Sequence, residues 1–204
     1  MPKNRLEAFS DGIIAFAITL LILDIHLPDA GTTIDNAAIL RALWVLAPHF
    51  AIYVISFLIC TVWWISHHAF IHDLDRVDGP LLWLNALFLM WIAFLPFPTG
   101  LLGHHPGQPV ATALYGAVCT LTAISFWVMR WYAASRGHLM KKEIGETEIR
   151  RGLSISLRGP VLYFTGTVAA FFFPWLAWLV YTVIPGYFAF ARLRAGKSHG
   201  NRNG

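Results

Sequence analysis

The chain has 204 residues, of which 57% are apolar and only 13% are Asp, Glu, Lys or Arg, and its mean hydropathy is +0.59. A soluble domain carries about 25% charged residues, so 15 basic and 11 acidic side chains cannot cover a globule of this size. This excludes an ordinary soluble enzyme, a disordered chain and a disulfide-rich module, and leaves an all-α, polytopic membrane protein.

A helix needs about 20 mostly apolar residues to cross a bilayer. Six runs fit, over 6–27, 38–69, 80–102, 109–135, 154–173 and 174–192. The second is longer than a span requires, so its ends project or tilt. Pro174 divides the fifth from the sixth, because proline lacks the N–H that would continue a helix. Residues 193–204 are polar and read as a disordered cytoplasmic tail. There is no internal repeat and no second domain.

The basic residues orient this arrangement. With six spans, 14 of the 15 Lys and Arg fall on one side and only Arg41 on the other. Basic residues stay in the cytoplasm, so both termini are expected there, in a multi-pass protein of the cell membrane. Fusing the last two runs would put the basic tail outside. The segment 136–151 is basic but interleaved with Glu143, Glu146 and Glu148. It reads as an amphipathic cytoplasmic connection, with no nucleic-acid partner. Most tryptophans lie nearer span ends than centres, where they anchor to the lipid interface. Cys60 and Cys119 lie in apolar runs and form no disulfide framework.

The first run starts like a signal peptide, but Asp11 interrupts it and no small-x-small site precedes Asp29. It reads as a retained helix. An ionisable residue in a membrane helix costs about 2.5–3.5 kcal/mol and faces protein or water. Asp11 and Asp24 therefore mark this helix as interior. His67 and His68 reach the depth of Asp11 from the second span, so a network of Asp11, His67, His68 and Arg5 is expected between helices. The alternative is that Asp11 caps a helix start with help from Ser10. One helix face carries Gly12, Phe16, Thr19 with Leu20, Leu23 and Leu27, which in a monomer is a packing face.

Four blocks of sequence stand out together. They are Arg5-x-x-x-Phe9-Ser10-Asp11-Gly12, continued by Ala15-x-x-Ile18-Thr19-Leu20-Leu21-x-Leu23-Asp24; Trp63-Trp64-x-x-His67-His68; Leu84-Asn85; and Phe94-Leu95-Pro96-Phe97-Pro98-Thr99. In this order, on a six-span chain, they resemble the transmembrane protein 175 family, the endosomal–lysosomal potassium channels and their prokaryotic relatives. The resemblance implies a homotetramer in the lipid bilayer, its central pore lined by the first helix of each subunit. It implies passage of potassium ions, and more weakly of sodium, without a carbonyl filter. In its place stands a ring of large apolar side chains, which can gate by dewetting. That ring falls on Phe16, where relatives carry isoleucine, with further rings at Leu20 and Leu23. Thr19 matches a threonine linked to selectivity. Arg5, Phe9, Ser10, Asp11, His67 and His68 are the structural motif residues.

His68 and His72 stand at i, i+4, a spacing that suits two metal ligands, and His104-His105 form a second pair. The clusters lie on opposite sides of the expected membrane, so no single metal site is expected. His26 and His49 are placed near Asp24 or in water. No phosphate loop and no nucleophile with a base is present, so neither an enzyme nor a cofactor is expected. The competing classes are a secondary transporter, which usually shows internal repeats, and a His-rich metal-binding membrane protein.

Overall fold

The computed structural model describes residues 2–26, 35–136 and 139–186. The expected tail, Leu27 and the end of the sixth run lie outside these residues. The elements are α1 (Lys3–Leu20), a 3-10 turn (Leu21–Asp24), α2 (Asn36–Val45), α3 (Ala47–Asp73), α4 (Gly79–Phe94), α5 (Pro96–His104), α6 (Pro109–Ser135), α7 (Glu146–Ala170) and α8 (174–186). Four stretches are long and apolar enough to cross a membrane among the described residues: Lys3–Asp24, Ala47–Asp73, Gly79–His104 and Pro109–Ser135. Ion pairs, backbone bonds and ring contacts below set the chain running up and down one bundle. The end holding Lys3, Asp73, Asp78 and Arg136 is here called the basic end, and the other the far end.

Local chemistry sets the breaks. The 38–69 run is two helices parted at Leu46, with Pro48 in the first turn of α3. Proline fits there because its missing N–H would have had no helical partner. The 80–102 run is likewise parted at Leu95, where Pro96 opens α5. Asp78 caps α4, accepting from the Leu81 N–H at 3.0 Å, and it accepts from the Tyr132 hydroxyl of α6 at 2.8 Å. Desolvation works to raise the Asp78 carboxyl, but these hydrogen bonds and the nearby Arg136 charge together hold it below its ordinary value. Leu74 and Met140 form a single antiparallel bridge across the basic end, with Asp75 N–H donating to the Leu139 carbonyl at 2.8 Å.

The layers follow from the packing. α1 lies against α3, α4 and α5; α6 lies against α4 and α5 on one side and α7 on the other. The middle of the bundle holds a buried polar cluster, in which Ser56 meets Thr99 and Tyr115, each at 3.0 Å. Tyr181 of α8 reaches inward between α6 and α7. Its ring passes over Gly166 and its hydroxyl over Gly116, where any Cβ would collide with it. Gly116→Ala is therefore expected to overpack this notch and destabilise the fold by about 1–3 kcal/mol. Thermal unfolding of purified protein in detergent measures it, and an unchanged Tm would show that Tyr181 relocates freely.

Candidate functional site

α1 has two faces of different character. Leu6, Ser10, Ile14, Ala17 and Leu21 are buried against the bundle. On the opposite side Phe9 is 57%, Phe16 65% and Leu23 62% exposed. Gly12 and Thr19 are exposed between them, and Leu20 is half-buried at the edge. The Thr19 hydroxyl donates to the Phe16 carbonyl at 2.7 Å, leaving its lone pairs open. The helix thus seats one stripe and leaves a second apolar stripe without cover in the single chain.

Polar contacts fix which stripe is which. At the basic end the Lys3 ammonium donates to the Leu74 carbonyl at 3.1 Å and the His72 carbonyl at 3.4 Å. Two turns further in, a fully buried chain joins three helices. The Ser10 hydroxyl donates to the Leu6 carbonyl at 2.8 Å, the Asn85 amide donates to the Ser10 oxygen at 3.0 Å, and His67 Nε2 lies 2.7 Å from Asn85 Oδ1. The directions are forced in sequence. Ser10 spends its proton on Leu6, so it accepts from Asn85. Asn85 therefore turns its oxygen to His67, whose Nε2 carries hydrogen. His67 also stacks on Phe88, centroids 5.4 Å apart and planes 5° apart.

The motif residues thus meet, but with partners other than those the sequence suggested. Asp11 accepts from the Trp64 indole at 2.9 Å. His68 Nδ1 lies 2.9 Å from Glu7. Arg5 is exposed, and Phe9 stands on the uncovered stripe. Asn85, Glu7 and Trp64 are the partners that sequence reasoning missed. Helical spacing held the signal for Glu7, one turn before Asp11 on the side toward α3. Trp64 read as an interfacial anchor because an indole serves either role.

The far end holds α1 by a second set. Asp24 lies 3.3 Å from His104 Nε2, and His104 Nδ1 lies 3.4 Å from His49 Nε2, joining the 3-10 turn to α5 and α3. The Asp24 carboxylate sits directly over Gly100, and His49 over Gly103, where added Cβ atoms would meet them at 2.6 and 3.0 Å. His104 uses one ring nitrogen for each neighbour, so this chain cannot close on one metal ion. No group of three or more potential metal ligands occurs among the described residues.

Asn85→Ala is expected to strip His67 of its acceptor and Ser10 of its donor, costing about 1–3 kcal/mol. Asp11→Asn keeps a carbonyl oxygen for Trp64 and should move stability far less. Paired thermal melts in detergent compare them, and an Asp11→Asn loss matching that of Asn85→Ala would overturn this ranking.

Comparison with known proteins adds to this geometry. The family described as endosomal/lysosomal potassium channel TMEM175 matches residues 5–96. A potassium channel of Streptomyces collinus is 40% identical over 146 residues, 70% of this chain and 69% of that one. A potassium channel of Chamaesiphon minutus is 33% identical over 189 residues, 91% of this chain and 93% of that one. The crystal structure of a lysosomal potassium-selective channel TMEM175 homolog from Chamaesiphon minutus superposes with a TM-score of 0.81 at 32% identity, covering 93% of this chain and 97% of that one.

Proposed function

The chain belongs to the TMEM175 family of potassium channels, and we propose that four copies form a potassium-permeable pore closed by apolar rings of α1. The observation that carries this is the uncovered stripe of Phe9, Phe16, Thr19 and Leu23 on a helix otherwise wrapped by α3, α4 and α5. One such stripe cannot enclose a pore. Four, related by rotation, close around an axis with no further element.

In this reading Phe16, Leu20 and Leu23 form successive rings toward the axis, narrowest at Phe16, with Thr19 beside the constriction. A ring of phenyl groups offers a dehydrated ion no oxygen ligand. Selectivity then arises from how much of the hydration shell passes intact, with Thr19 hydroxyl oxygens supplying the nearest protein ligands. Potassium sheds water more easily than the smaller, more strongly hydrated sodium, so it is favoured, though modestly. Six spans with both termini in the cytoplasm follow from the one-sided basic residues. The far end then faces outward, and Asp24 and Asp35 there enrich cations at the mouth.

Native mass measurement in mild detergent should give a homotetramer, and a monomer or dimer would sink the pore. Liposomes holding the purified protein should release potassium downhill, faster than sodium and without coupling to protons. Saturable, proton-coupled uptake would make it a transporter instead. Phe16→Asn should wet the ring, raise the current and erode preference for potassium, while Leu23→Ala acts more weakly. Should Leu20→Asn change conduction while Phe16→Asn leaves it alone, the constriction lies one turn further out.

A further inference from the structure

α7 and α8 border an open groove of about 660 Å³. Its walls include Val161 and Leu162 of α7 and Leu179 and Val183 of α8, and among the described residues its only polar lining is Ser154 and Arg158. The volume lies within the range of about 300–1,000 Å³ typical of sites for ligand-sized molecules. The groove is on the outer side of the subunit. α7 packs on α6, α6 packs on α4 and α5, and these carry α1. With α1 at the axis, the groove opens to lipid.

The two polar residues are placed together. Ser154 and Arg158 are one turn apart on the same face of α7 and both are exposed. Arg158 stands eight residues beyond Arg150, about 12 Å further from the basic end. Val161 and Leu162 follow one turn deeper. The groove therefore reads, from the basic end inward, as hydroxyl, guanidinium, then hydrocarbon. We propose that it binds one anionic phospholipid of the leaflet at the basic end, with the phosphate on Arg158 and Ser154 and an acyl chain between α7 and α8. A guanidinium has five N–H donors in a fork that fits phosphate, so it serves the lipid in addition to contacts within the protein. Basic pockets between spanning helices hold acidic headgroups by this chemistry.

A second copy of the chain fits less well. Its insertion would need a carboxylate on an apolar helix at the depth of Arg158. The acidic residues of α1 are already engaged, Glu7 with His68 and Asp11 with Trp64. The remaining described ones lie in connections or at helix ends. A phospholipid brings the anion and the apolar tail in one molecule.

The test is lipid retention by the purified, full-length protein in detergent, read by native mass spectrometry with palmitoyl-oleoyl phosphatidylglycerol against the matching phosphatidylcholine. The wild type should hold phosphatidylglycerol about tenfold more tightly, the ratio expected of one charge-assisted contact. R158Q should lose this preference without changing the mass of the assembly, and R158K should keep most of it. Val161→Trp should fill the groove and reduce retention of both lipids. An unchanged preference in R158Q overturns the proposal, and so does break-up of the assembly by Val161→Trp, which would make the groove a subunit contact. Where R158Q yields no folded protein, Val161→Trp decides. Loss of retention in an intact assembly supports the site, and full retention refutes it.

Discussion

A buried chain of hydrogen bonds sets the position of the first helix. His67, Asn85, Ser10 and the Leu6 carbonyl join α3, α4 and α1 in the interior. Each donor has one acceptor and each direction follows from the one before. In an apolar surrounding an unmade hydrogen bond costs much more than in water. Rotating α1 by one residue would strand Ser10 and Asn85 together. The interior bonding thus decides indirectly which residues are left outward. Phe16 and Leu23 are uncovered because Ser10 and Ala17 are seated.

This division of labour suits a membrane. Apolar contact alone does not select one helix rotation in lipid, since hydrocarbon tails are as apolar as leucine. Polar groups supply the selectivity, and the structure spaces them along α1. Lys3 reaches main-chain carbonyls at one end, Ser10 and Asp11 engage α4 and α3 within the basic half, and Asp24 engages His104 at the other end. Between Asp11 and Asp24 only apolar side chains and Thr19 face any neighbour. Ser10, Asp11 and Asp24 mark where α1 is fastened, and the stripe of Phe9, Phe16 and Leu23 is the part left unfastened.

Much of this was legible in the residues, and the part that was not has a physical cause. Composition and run length identify a membrane protein, and four ordered blocks identify its family. Depth along a helix also reads well, because the rise per residue is fixed. It is off by about one turn here: Trp64 comes level with Asp11, and His68 comes level with Glu7. Azimuth does not read from one sequence. A helix pair can meet at any rotation that buries its apolar face, so the choice of Trp64 for Asp11 and of Glu7 for His68 follows only from packing. Asn85 was visible as part of a motif, yet nothing in its spacing says that it bridges a serine 75 positions earlier. The breaks at Leu46 and Leu95 were masked by unbroken hydropathy, though Pro48 and Pro96 mark both.

The 3-10 turn at Leu21–Asp24 lengthens the far end of the first helix. A 3-10 helix rises about 2.0 Å per residue and an α-helix about 1.5 Å. Recoiling these four residues would shorten the segment by about 2 Å. Each residue would also turn by about 100° instead of about 120°, so Leu23 would swing sideways relative to Phe16. With Ser10 held by Asn85, recoiling would draw Asp24 off its seat over Gly100, so the 3-10 geometry is what lets both anchors be made at once. The pitch of this turn therefore sets two things together, how far Asp24 reaches and which way Leu23 faces relative to Phe16.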